Sequence, residues 1–243
     1  MRVKCVLNSE NQNEPCVIPM DFRRHFISFV KTLLVNTPYY QRFNEEKPGY
    51  SPYVFGIEFA KVEGVDTEKQ QMFIKPPVTV TFSTGLFELM TEICNSAIDQ
   101  KGQLNVLGLK LSRINLLPLK QIKSNTVEFR IIGHAALRGE NNYVDSSDRL
   151  HLEEAINTHL QKKVGFVNQV YSESAELPFS PIVVQDDGKL YKSVCQHYGG
   201  KITTLRGRIT LSGSPDCLQF LYDYGLGVRT GQGFGLLEVI KQQ

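Results

Sequence analysis

At 243 residues, with 41% hydrophobic and 21% charged residues, the chain has the make-up of an ordinary folded protein and is long enough for one large domain or two small ones. Its net charge of +2 excludes bulk attraction to nucleic acid, so any such surface has to come from local clusters of basic residues. Five scattered cysteines without a CxxC pair argue for reduced thiols and against a zinc site. The opening MRVKCVLNSE turns polar too soon for a secretory signal, and no apolar run reaches the length of a membrane span, so a cytoplasmic location is expected.

MRVKCVL alternates like a strand. DFRRHFISFVKTLLV (21–35) predicts a helix with Phe22, Phe26, Phe29 and Leu33 on one face and Asp21 as N-cap. A loop rich in Tyr, Pro and Gly (36–52) leads to a strand near 53–60. VTVTFSTGLFELMTEICNSAI reads as a strand with Val78, Val80 and Phe82 inward, a Thr-Gly break and a helix. GQLNVLGLKLSRI supplies another strand after a glycine turn. The second half repeats the order: a strand at 126–137, a helix at 148–164, strands near 181–194, then a strand, a Ser-Gly-Ser turn and a helix in LRGRITLSGSPDCLQFLYDYG, and a final strand in LLEVI. This internal repeat predicts an α+β protein of two tandem ferredoxin-like (RRM-like, βαββαβ) domains. Residues 1–121 form the first and 122–243 the second, with a polar, basic junction near Pro118–Asn125.

Before the last strand stands GLGVRTGQGFG, with Gly225, Gly227, Gly231, Gly233 and Gly235 in eleven positions. A dinucleotide fingerprint needs glycines after a strand and before a helix; here a helix precedes, a strand follows and the spacing fails. A P-loop lacks its Gly-Lys-Ser/Thr. What remains is a tight helix-to-strand connection, or a loop whose free N–H groups receive an anion, with Arg229 as a phosphate clamp.

A helix, this loop and a terminal strand closing a second ferredoxin-like domain resemble the glycine-rich loop of the RAMP superfamily of CRISPR proteins. Within it the chain resembles the CRISPR-associated repeat-RNA processing endoribonuclease, family six. IPMDFRRHFISFVKTLL and HLEEAINTHLQKKV extend the likeness along the chain. The resemblance implies that precursor CRISPR RNA is bound and cut within each repeat without metal or other cofactor. The RNA's 2′-hydroxyl is then the nucleophile, leaving a 2′,3′-cyclic phosphate and a 5′-hydroxyl. It also implies, as the alternative, a non-catalytic RAMP subunit that only holds guide RNA. Effector-complex subunits and a second copy of the chain are the further partners it leaves open.

The reaction needs a base, an acid and a cation beside the phosphorane, and histidine suits proton transfer near neutral pH. The resemblance points to His25, on the rim of the first helix, as general acid or base. Many relatives carry their histidine just after this helix, where this chain has none; Tyr39, Tyr40 and Lys47 are the expected partners there, with Arg42 a further cation. His159 falls on the apolar stripe of its helix and reads as packing; His134, His151 and His197 rank low. For RNA binding the expected residues are Arg23 and Arg24 on the helix, Arg206 and Arg208 on the outward face of TTLRGRITL, and the loop's five glycines with Arg229. Lys110, Arg113, Lys120 and Lys123 bracket the junction between domains.

Overall fold

The computed structural model describes residues 1–11, 14–44, 49–171, 177–185 and 188–243, the side chains of Arg42 and Asn44 excepted. β1 (Arg2–Asn8) and a short β2 (Cys16–Pro19) precede α1 (Arg23–Leu34) and a 3-10 turn over Pro38–Asn44. β3 (Val54–Asp66) and β4 (Gln71–Ser83) make a long hairpin. Asp66 closes it, its Oδ1 accepting the N–H groups of Glu68 and Lys69 at 3.0 and 2.9 Å. α2 (Phe87–Asp99), β5 (Asn105–Val106) and β6 (Leu109–Leu116) complete the first half. The second half runs β7 (Thr126–Ile131), α3 (Arg149–Tyr171), β8 (Val183–Gln185), β9 (Leu190–His197), β10 (Gly200–Ser212), α4 (Pro215–Tyr224) and β11 (Leu237–Gln242).

In the first sheet the order is β3–β4–β1–β6–β5, with β2 also on β4. In the second it is β11–β7–β10, with β8 and β9 pairing successive stretches of β10. Every pairing is antiparallel. Each half thus reads β-α-β-β-α-β with its last main strand beside its first, the tandem ferredoxin-like arrangement. The alternation that predicted the strands is the alternation of burial: Val78, Val80 and Phe82 lie in the first core, and Leu205, Ile209 and Leu211 in the second. Phe22, Phe26, Phe29 and Leu33 seat α1 on the first sheet.

Several boundaries move, each for a physical reason. Asp21 is not an N-cap: Phe22 already has helical φ and ψ, and no side chain caps α1. The Asp21 carboxylate instead accepts the N–H of Gly199 at 3.3 Å, at the tip of the β9–β10 hairpin. β7 ends at Ile131 rather than 137, because Gly133 turns the chain at φ 72°. α3 runs on to Tyr171, since Val164 and Val167 continue its buried stripe. The loop after α1 holds the 3-10 turn, and β2 was not foreseen at all. No described helix is long and apolar enough to cross a membrane.

Candidate functional site

The glycine loop is packed into the protein. Leu226 and Phe234 in the loop, and Leu236 just after it, are fully buried, while Val228 is half-buried at the cleft. At Gly227 (φ 75°) a Cβ would meet the Ala136 carbonyl oxygen at 2.3 Å, and at Gly235 (φ 80°) that of Leu226 at 2.1 Å. At Gly231, Gly225 and Gly233 the close neighbours are Ser51, Val54 and Phe55 of the first domain. The five glycines, expected to receive RNA phosphates, therefore serve the approach of the protein's own chain. Main-chain bonds fix the loop: Gly235 N–H donates to His134 O, Leu226 N–H to Gly235 O and Val228 N–H to Ala136 O, each at 2.8 Å.

Three buried cations hold this region through backbone carbonyls. Lys163, 1% exposed, donates to the carbonyls of Tyr224 and Gly225 and to Thr230 Oγ1. Arg2 donates to the Tyr222 carbonyl and covers that residue's ring. Arg23 donates to the Gly233 carbonyl at 3.4 Å and lies between the rings of Phe22 and Phe234. Lys163 and Arg2 meet carbonyls at the C-terminal end of α4, where the helix dipole favours positive charge. Arg23 was expected among the RNA-binding arginines; at 5% exposure it is a clamp between α1 and the loop.

Beside the loop a cleft of about 430 Å³ opens between the domains. α1 lines it with Ile27 and Lys31, residues 49–53 with Tyr50, the hairpin tip with Tyr198, and the loop with Arg229 and Gln232. Arg229 stands at φ 60°, uncommon for a residue with a side chain. Its Nε donates to Tyr143 Oη at 2.7 Å and a terminal nitrogen to Gln232 Oε1 at 2.9 Å. Further guanidinium donors remain for a ligand. His197 Nε2 also donates to Gln232 Oε1, at 2.8 Å, so the loop's outer side is a braced polar rim above a packed base. Lys31 lies over the Phe43 ring at 4.9 Å.

The expected catalytic residues do not come together. By the 100° advance per helical residue, His25 stands about 160° around α1 from Ile27 and about 120° from Lys31, away from the cleft. It is half-buried and accepts from Arg24 Nε at 3.3 Å. Burial, then the Arg24 charge, lower its pKa, against Asp21. Tyr39 lines a separate cleft with Glu88 and Glu92, stacked on Tyr171 at 6.0 Å; burial, then Glu88, push its hydroxyl pKa up. Tyr40 packs on Phe43 and the first core. Lys47 lies outside the described residues.

Arg24, Arg206 and Arg208 are exposed. Arg208 is 3.4 Å from Glu128, which also pairs with Lys189 at 3.1 Å, and Arg206 and Arg208 together border a shallow cleft with Glu58, Arg130 and Tyr191. His134 contacts Thr204 Oγ1 at 2.8 Å, and burial, then Arg23 and Arg206, lower its pKa to about 3. The sequence reading missed Lys31, Tyr50 and Tyr198 in the open cleft: a lone lysine on a helix and two loop tyrosines carry no signal until the second domain covers them.

Residues 117–239 match the family described as CRISPR associated protein Cas6, C-terminal. Among solved structures, the chain is similar to that of a Cas6-related gene from Pyrococcus furiosus, with 18% identity, TM-score 0.75, and 100% of this chain and 99% of that one covered. A RAMP protein described as binding different RNA substrates is 15% identical at TM-score 0.72, covering 99% and 100%. A Cas6 product complex is 16% identical at TM-score 0.64, covering 98% and 99%. No curated protein sequence matches the chain.

Proposed function

The chain belongs to the CRISPR-associated Cas6 family, and from that premise we propose that it binds the repeat of a precursor CRISPR RNA and cuts it by attack of the RNA's own 2′-hydroxyl. The observation that carries this reading is the cleft between the domains, where Lys31 and Arg229 place two cations around open space large enough for a nucleotide. Cations fixed before the reaction stabilise the extra charge of a phosphorane without reorganisation. The packed base of the loop keeps Arg229 in place, and the exposed Arg206 and Arg24, outside the cleft, are further phosphate-contact candidates.

The test is a cleavage assay in EDTA on single-repeat RNAs, one for each CRISPR array of the encoding genome. One cut with a 2′,3′-cyclic phosphate end, lost when the nucleotide 5′ to the cut is 2′-deoxy while binding persists, supports the proposal. Binding without any cut makes the chain a non-catalytic RAMP subunit. A placement of the proton transfer at His25 is favoured by the Arg24 bond to its ring nitrogen, which requires a neutral imidazole with a lone pair on that nitrogen. Loss of cutting with unchanged binding in His25→Ala supports that placement, and retained cutting removes it.

A further inference from the structure

On the face of the second sheet turned away from its core, the cations are balanced with one exception. Arg130 stands 3.6 Å from Glu58 and 3.4 Å from Glu238. Arg208 and Lys189 share Glu128. Arg206, exposed on the same face, is in no ion pair among the described residues. Its charge is felt inside the protein: burial first, then Arg23 and Arg206, hold the His134 imidazole low. An anion at Arg206 would answer a positive charge that the chain itself leaves unanswered.

The cross-strand neighbour of Arg206 is an aromatic ring. In the β9–β10 register Arg206 stands opposite Tyr191, so the two side chains leave the sheet on one face. At Gly207, φ 102°, a Cβ would meet two ring carbons of Tyr191 at 2.9 and 3.0 Å. The missing side chain lets the ring lie close against the β10 backbone, while Tyr191 stays 51% exposed. One exposed tyrosine on an edge strand is ordinary. A ring set against a glycine, beside an unpaired arginine, on the wall of a cleft of about 290 Å³, is a more specific arrangement.

We propose that Tyr191 and Arg206 form a docking site for one unpaired nucleotide of the repeat RNA, with its base stacked on the exposed Tyr191 ring and a flanking phosphate held by Arg206. This rests on the RNA-binding reading above and adds a second place of contact to it. Every base has a π-face, so stacking makes the site tolerant of sequence. It selects for single strand, because a base inside a duplex is covered by its neighbours on both faces. The site stands apart from the cleft of Lys31 and Arg229. Tyr198, which lines that cleft, is at the tip of the β9–β10 hairpin, roughly 23 Å from Tyr191 at the rise of a strand. The contact therefore holds and directs the strand at a distance from the bond that is cut.

The experiment measures binding to the 2′-deoxy repeat, with thermal melting of each variant alongside. Tyr191→Ala is expected to weaken binding about tenfold, and Tyr191→Phe, which keeps the ring, less than about twofold. If Tyr191→Ala melts early, Tyr191→Leu, which keeps apolar cover over Gly207, takes its place with the same expectation. Single abasic substitutions are then placed along the repeat in turn. At one unpaired position the abasic RNA is expected to lose about tenfold on the wild type and nothing further on Tyr191→Ala, because base and ring are the two halves of one contact. Binding by Tyr191→Ala within about twofold of wild type overturns the site. So does a loss in Tyr191→Phe as large as that in Tyr191→Ala, or an abasic scan in which every loss adds to that of Tyr191→Ala. Each of these outcomes leaves the endoribonuclease reading to be decided by cutting in the wild type. A wild type that binds no repeat RNA overturns both.

Discussion

The glycine loop and the arginines of β10 carry the two conspicuous signals of the second domain, and the fold turns them in opposite directions. The loop faces inward: a Cβ on its glycines would meet Ala136, Leu226, Ser51, Val54 or Phe55, and its Leu226 and Phe234 are buried. Arg206 and Arg208 face outward from the same domain. Glycine richness here marks close approach of chain to chain, and charge on an alternating strand marks surface. The first region should therefore answer to changes through stability, and the second through binding.

The largest effect belongs to the loop. At Gly235 an alanine would combine left-handed backbone with a Cβ 2.1 Å from the Leu226 oxygen. Gly235→Ala is expected to destabilise by roughly 3 kcal/mol, from the strain and overpacking together, and to lower the melting temperature on the order of 10 °C. A melting curve within a degree or two of wild type would mean that the loop does not close this tightly on Leu226.

The next effect lies under the loop, at His134, whose carbonyl accepts from Gly235. Its folded pKa of about 3 lies below the ordinary 6.5. Between those values the unfolded chain binds a proton that the folded chain refuses, so stability is full above the upper value and is lost as pH falls. The loss from this residue reaches roughly 2 kcal/mol by about pH 5. Melting should drop on acidification in the wild type and drop less in His134→Asn, the difference isolating this residue from the other histidines. Parallel curves would refute it.

The same contrast explains what the sequence could and could not disclose. Strand alternation at Val78, Val80 and Phe82 and the helical stripe of α1 are local patterns, and they carried the two-domain fold. The extension of β3 to Asp66 and of β4 back to Gln71 was not legible, because Val62 and Val65 stand isolated among polar residues and glycine, with no regular alternation to mark a strand. The site was less legible still. Tyr50 meets His159 only because the domains pack, and Lys163, an unremarkable lysine in a helix, is buried because three acceptors converge on it from α4 and the loop. Such pairs depend on tertiary approach, which no window of sequence contains. His25 shows the converse: its place on the helix rim was read correctly, yet the cleft opens on another side.

The smallest effect concerns the outward region and separates its two arginines. Arg208 already faces the Glu128 carboxylate, which also holds Lys189; an RNA phosphate would have to compete for it, and an exposed pair of this kind is weak but not absent. Arg206 is in no ion pair among the described residues, although both arginines line the same shallow cleft beside Arg130 and Tyr191. Arg206→Ala should therefore weaken repeat-RNA binding by roughly fivefold and reduce the salt slope by about one counterion, as the loss of one phosphate contact does. Arg208→Ala should cost less than about twofold, because the Glu128 carboxylate already offsets the Arg208 charge and Lys189 stays paired with Glu128 when Arg208 is removed. Both variants should melt like the wild type, since neither side chain is part of the core. Filter binding across a salt series reads all of this. Equal losses at the two positions, or a larger loss at Arg208, would show that RNA phosphate displaces Glu128 from Arg208.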